Sequence, residues 1–106
     1  MTAPSLIRAR MTGAGTALLR LRMRHEMESG QRNDAQGRPI AAWHITAFTL
    51  RVGDKLALSG QLGPGISKDP FFELQLRGVK AGDSLQLDWT DNRGAQRSDK
   101  STILAA

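Results

Sequence analysis

Between Thr16 and Met27 the chain alternates. Ala17, Leu19, Leu21, Met23, His25 and Met27 fall on one side of a period of two. Leu18, Arg20, Arg22, Arg24 and Glu26 fall on the other, which is apolar only at Leu18. That pattern predicts a half-buried strand with a basic outer face. The same residues are good helix formers, and Leu19, Met23 and Met27 also sit four apart, so this segment by itself is open between strand and helix. The strict alternation of the arginines and the β character of the rest of the chain favour strand.

The remaining pattern is β throughout. Ser5 to Met11 reads as a short first strand carrying Arg8 and Arg10, followed by a Gly13-Ala14-Gly15 turn. Ile40 to Val52 is a β segment with Trp43, Ile45 and Ala47 on one face and His44, Thr46, Phe48 and Leu50 on the other. Gly53-Asp54 is a tight hairpin turn with glycine first. Lys55 to Leu62 alternates around Leu56 and Leu58. Phe71 to Arg77 directs Phe72, Leu74 and Leu76 inward, and Ser84 to Thr90 buries Leu85, Leu87 and Trp89. Asp91-Asn92-Arg93-Gly94 has the chemistry of a type I turn with a glycine bulge, and Ala95 to Leu104 returns as a last, mostly polar strand. About seven strands, with turn signals every ten or so residues, predict an all-β fold: one immunoglobulin-like β-sandwich of antiparallel strands spanning residues 1–106. There is no Cys-Trp-Cys pattern, so the match is to architecture only.

Composition narrows the chemistry. The 106 residues include no cysteine, which removes disulfides, thiol nucleophiles and thiolate ligands. The net charge of +5, with arginine well ahead of lysine, favours an anionic partner. Aromatic residues make up 5%, without the interleaved stacking pattern of a nucleic-acid binder, so nucleic acid is not expected. No apolar run approaches a membrane helix, and Met1 to Ser5 has no charged start with an apolar stretch behind it, so neither membrane insertion nor a signal peptide is expected.

Candidate site residues gather in two places. Ser29 to Pro39 is a polar loop, long for a hairpin connection, which points to function. Glu28, Arg32 and Asp34 could form an acid/base cluster, but without a nucleophile they read as a loop braced by charge-assisted hydrogen bonds or as a partner contact. Ser29-Gly30 lacks the Gly-x-Ser-x-Gly setting of a nucleophile elbow. His25 lies on the apolar strand face and reads as a buried, hydrogen-bonded histidine. His44 has no companions at metal-ligand spacing, so no metal and no cofactor are expected. Arg20, Arg22 and Arg24 form a stripe that is either a solvated face or a docking surface for an acidic protein. Phe71 and Phe72 must face opposite ways on a strand, one toward the core and the other a candidate interface anchor.

Two segments go further than a generic sandwich. One is His25-Glu26-Met27-Glu28-Ser29-Gly30-Gln31-Arg32-Asn33-Asp34, followed by Gly37, Pro39 and Ile40. The other is Asp69-Pro70-Phe71-Phe72-Glu73, followed by Leu85, Leu87, Trp89, Asp91, Asn92 and Gly94. Both resemble the SoxZ family of the bacterial thiosulfate-oxidising Sox system, from His25 to the C-terminus. The stretch Ala41-Ala42-Trp43-His44 departs from the basic residues the family often carries there. The resemblance implies a non-catalytic subunit that pairs with SoxY, whose C-terminal Gly-Gly-Cys-Gly-Gly arm carries sulfur intermediates, and that meets other Sox enzymes transiently. It also implies a periplasmic place of work reached by co-export with SoxY. The expected partner-binding or motif-loop residues are His25, Met27, Glu28, Ser29, Gly30, Gln31, Arg32 and Asp34, with Phe71, Phe72 and Glu73, and the motif leaves open which of them touch SoxY and which support the loop. The competing expectation is an unrelated β-sandwich adhesion or ligand-binding module. Trp43 is the obvious aromatic for such a site, although core packing is its simpler use.

Overall fold

A computed structural model of the chain describes residues 3–106, all of them β-strand or connection. Seven strands follow in order: β1 (Leu6–Gly13), β2 (Thr16–Arg22), β3 (Ile45–Val52), β4 (Lys55–Gln61), β5 (Phe71–Arg77), β6 (Ser84–Asp91) and β7 (Gln96–Leu104). They form one nearly barrel-shaped sheet in the order β4-β3-β6-β7-β1-β2-β5. The junction between β7 and β1 is parallel and only two residue pairs long, Ala9 with Ile103 and Arg10 with Leu104. The other pairings are antiparallel. The sheet therefore folds over at β7–β1 into two layers, β1-β2-β5 and β4-β3-β6-β7, in an immunoglobulin-like β-sandwich. The body is long, 55 × 21 × 21 Å, with a radius of gyration of 15.7 Å. A compact domain of this length would have about 13 Å.

The core follows the alternation. Ala17, Leu19 and Leu21 of β2 are fully buried, and so are Leu85 and Leu87 of β6, with Trp89 at 1% exposure. Phe48 of β3 meets Phe72 of β5 across the layers, ring centroids 5.3 Å apart. Gly60 makes room for that contact. It pairs with Phe48, and a Cβ there would stand 2.7 Å from the Phe48 ring. Burying side chains of this size stabilises by about 1.5–3 kcal/mol each, so the interlayer packing dominates the fold.

Three expectations are corrected. Strand β2 ends at Arg22 rather than Met27, yet Met23, His25 and Met27 remain buried in alternation beyond it. Strand β3 begins at Ile45, and a register shift against β6 between Ile45 and Ala47 changes the phase, so that Ile45, Phe48 and Leu50 all point inward. A second shift between Leu50 and Arg51 turns Leu56 of β4 outward, at 52% exposure. Bulges of this kind add one residue to one strand and so reassign faces. The hairpins hold as expected: Gly53 takes φ 58, and Gly94 takes φ 82 with its N–H donating to the Asp91 carbonyl at 3.1 Å.

Candidate functional site

The long connection from β2 to β3 is built on a buried anchor. After Arg22 the chain runs beside the Asp69–Pro70 segment. The Met23 N–H donates to the Pro70 carbonyl at 2.9 Å, and the Asp69 N–H donates to the His25 carbonyl at 2.9 Å. The His25 N–H in turn donates to the Asp69 carboxylate at 2.9 Å. The His25 side chain then turns inward, with 1% exposure. Its Nδ1 accepts the Met27 N–H at 3.0 Å. That acceptance places the ring proton on Nε2, which donates to Asp91 Oδ2 at 3.0 Å. Asp91, at the end of β6, also accepts the Trp43 indole N–H at 2.8 Å and the N–H groups of Arg93 and Ala95 at 2.9 Å each. Burial pushes the Asp91 carboxyl up, but the hydrogen bonds from His25, Trp43, Ala95 and Arg93 outweigh it and hold the group below its ordinary value.

Aromatic rings enclose the anchor. His25 meets Trp43 and Trp89 edge to face, with centroids 4.9 and 5.3 Å away. The Arg93 guanidinium lies 4.4 Å over Trp43. Met27 adopts φ 53, unusual outside glycine, and its sulfur accepts the Ile45 N–H at 3.3 Å. Asn92 accepts the His44 N–H at 2.8 Å and donates to the Ala42 carbonyl at 2.9 Å. The divergent residues 41–44 are thus fastened to the β6–β7 hairpin. Trp43 is half-buried and serves the anchor, its indole N–H spent on Asp91 and its ring set between His25 and Arg93.

Beyond Met27 the chain turns outward. Glu28 and Trp43 exchange backbone hydrogen bonds of 2.6 and 2.9 Å. Arg32 grips Glu28 with two hydrogen bonds, 3.1 Å from Nε and 2.6 Å from Nη2. That grip lowers the Glu28 carboxyl below its ordinary value. Asp34 accepts the N–H groups of Gln36 and Arg38, and Ser29 Oγ accepts that of Gln31. Gly30, at φ 85, lies against Ala42, where a Cβ would approach the Ala42 methyl to 3.1 Å. The side chains of Gln31, Arg32 and Asp34 face solvent on this frame.

The predicted residues therefore separate. His25 and Met27 are interior, Glu28 and Ser29 are half-buried, and Gly30 through Asp34 are surface. Phe72 is half-buried on the core, while Phe71 is 49% exposed with the Arg22 guanidinium 5.1 Å over its ring. Glu73 is exposed and paired with Arg20 at 3.0 Å. Two hollows that share Gly65, Ile66 and Lys68 join the Phe71 end to the Glu28–Arg32 end. Asp91 and Trp43 are the anchor residues that sequence reasoning missed. The signal was present: Leu85, Leu87, Trp89 and Asp91 share one phase, so Asp91 points inward like His25.

Fold and site define an all-β, immunoglobulin-like domain in which the two motif segments close on one buried histidine–aspartate anchor. Its folded relatives include two structures of superoxide reductase (neelaredoxin) from Ignicoccus hospitalis. One, of a variant of that protein, gives a TM-score of 0.62 and 14% identity, over 96% of this chain and 79% of that one. The other gives 0.59 and 15%, over 99% and 82%. Identity this low speaks to the fold alone. Comparison with curated proteins gives no match. The chain belongs to the SoxZ family: the model described as sulphur oxidation protein SoxZ matches residues 7–102, nearly the whole length, and gives the protein a role in the Sox sulfur-oxidation system.

Proposed function

We propose that this chain is the non-catalytic subunit of a SoxYZ sulfur-carrier heterodimer in thiosulfate oxidation. It holds SoxY, positions the cysteine-bearing arm and presents it to successive Sox enzymes, in the periplasm after export together with SoxY. The observation that carries this reading is the family match over residues 7–102. The chemistry of the chain agrees with it. There is no cysteine to carry sulfur, and both ring nitrogens of His25 are committed to interior partners. In this reading the framed loop from Ser29 to Asp34 and the exposed Phe71 and Glu73 touch the partner, while His25 and Met27 hold the loop from inside. Among the described residues no helix is long and apolar enough to cross a membrane.

The test is co-expression with SoxY from the same source, followed by size exclusion and affinity measurement. A stable one-to-one complex supports the pairing. Two folded chains that do not associate overturn it.

A further inference from the structure

The outer face of the β1-β2-β5 layer differs in chemistry from the loop site. The pairing registers set its outward side chains in rows. Leu6, Arg22 and Phe71 lie abreast, as do Arg8, Arg20 and Glu73. Arg10 lies between Leu18 of β2 and Leu104 of β7. Three of the five exposed large hydrophobic side chains among the described residues stand here: Leu6, Phe71 and Leu104. Between β1, β2 and the end of β7 the surface sinks into a groove of about 440 Å³, walled by Arg8, Arg10, Arg20, Leu18 and Leu104.

This arrangement does not serve the isolated fold. Arg8 and Arg20 face each other directly across the β1–β2 ladder, where like charges repel. Arg20 is relieved by Glu73. The Arg8 side chain has no hydrogen bond or ion pair among the described residues, and the Arg10 side chain donates only to the Ala105 carbonyl, at 3.1 Å. Two guanidinium groups thus sit in a groove beside apolar side chains without a carboxylate of their own. A partner that brings carboxylates neutralises both, and one that brings apolar groups as well covers the leucines.

Area decides how much of an interface this face can be. The three strands of the layer and the adjoining end of β7, about 4.8 Å apart, give a width of at most roughly 15 Å, and six residues at about 3.3 Å give a length of roughly 20 Å. The product, on the order of 300 Å², falls short of the roughly 800 Å² per partner of a standard interface. The remaining area lies past Phe71, where the hollows around Ile66 and Lys68 lead on to Glu28 and Arg32.

We infer that the outer β1-β2-β5 face, centred on the Arg8–Arg10 groove, is the part of the SoxY-binding surface that reads charge. The SoxY surface it takes is acidic, with carboxylates set among apolar side chains. The inference rests on the proposed pairing with SoxY and extends it from the loop across the sheet.

The test uses the full chain carrying Arg8→Glu and Arg10→Glu, titrated against SoxY from the same source at about 50 mM and about 500 mM salt. The double variant is expected to bind at least tenfold more weakly at low salt, with the gap narrowing at high salt. Its own melting temperature is expected to hold or rise, since a glutamate at position 8 faces Arg20 favourably. Affinity equal to the wild type, or a loss that salt does not narrow, overturns the charge-reading role and leaves the pairing intact. A wild-type chain that fails to bind folded SoxY overturns both.

Discussion

The stretch from His25 to Asp34 divides into two halves that fold by different rules. In the inner half the side chains of His25 and Met27 are spent on the interior: His25 on Asp91 and the Met27 amide, the Met27 sulfur on the Ile45 amide. In the outer half the hydrogen bonds close within the loop itself. Arg32 binds Glu28, Asp34 binds the amides of Gln36 and Arg38, and Ser29 binds that of Gln31. The first kind of bond ties distant strands together, so losing it is expected to weaken the whole sandwich. The second fixes a local shape, and losing it leaves the sandwich standing. A single motif thus combines a structural requirement with a displayed surface.

The hardest way to break this contrast is Asp91→Ala. It leaves His25 Nε2, the Trp43 indole and two backbone N–H groups without an acceptor in a buried site. The expected loss is about 3–5 kcal/mol, and on the order of 15 °C in melting temperature. Thermal unfolding checks it, and a loss under about 1 kcal/mol would remove the anchor from the account.

Acid sharpens the same point without mutation. Asp91 is held below its ordinary value by its hydrogen bonds, despite burial that pushes the other way, and Glu28 by Arg32. As pH falls, the unfolded chain takes up these protons before the folded one does. The stabilisation is whole only above the ordinary carboxylate range, at about pH 6, begins to fall as the unfolded chain takes up protons at about pH 5, and is gone once pH has dropped through the lowered folded values. Melting curves from about pH 6 to about pH 2 are expected to fall steeply below about pH 4 in the wild type and less steeply in Asp91→Ala. Parallel curves would show that Asp91 does not carry the acid sensitivity.

Gly30→Ala tests the seam between the halves. It forces a methyl group onto a backbone at φ 85 and against Ala42. The expected cost is about 1–2 kcal/mol, smaller than at Asp91 because the loop can shift. Denaturant unfolding measures it, and a neutral result would mean that the loop is not pressed on the 41–44 segment.

Much of this molecule was legible from alternation alone. The faces of β2, β5 and β6 follow it, and the Asp91–Gly94 hairpin follows from its turn residues. What was not legible depends on partners far along the chain. The bulge between Ile45 and Ala47 is set by pairing with β6, and no residue in β3 announces it. The positive φ of Met27 is imposed by His25 and Ile45, which hold its amide and its sulfur. Asp91 was read as a turn residue because its turn chemistry is strong, although its strand phase pointed it inward. The outer loop could be located but its contacts could not be assigned, because local hydrogen bonding and partner binding call for the same polar residues.

Arg32→Ala separates those two uses and is the smallest of the expected structural effects. The side chain is 65% exposed, and its bond to Glu28 spans four residues of the same loop. Exposed pairs of this kind contribute little to global stability, so a melting shift within about 2 °C is expected. Affinity for SoxY is expected to fall severalfold, since removing the guanidinium both frees Glu28 and takes a donor from the displayed surface. The paired readout is calorimetric melting of the single chain and titration against the partner. A large melting loss with unchanged affinity would make Arg32 a brace of the fold, move the outer half of the motif into the same class as the inner half, and leave the sheet face as the surface that meets SoxY.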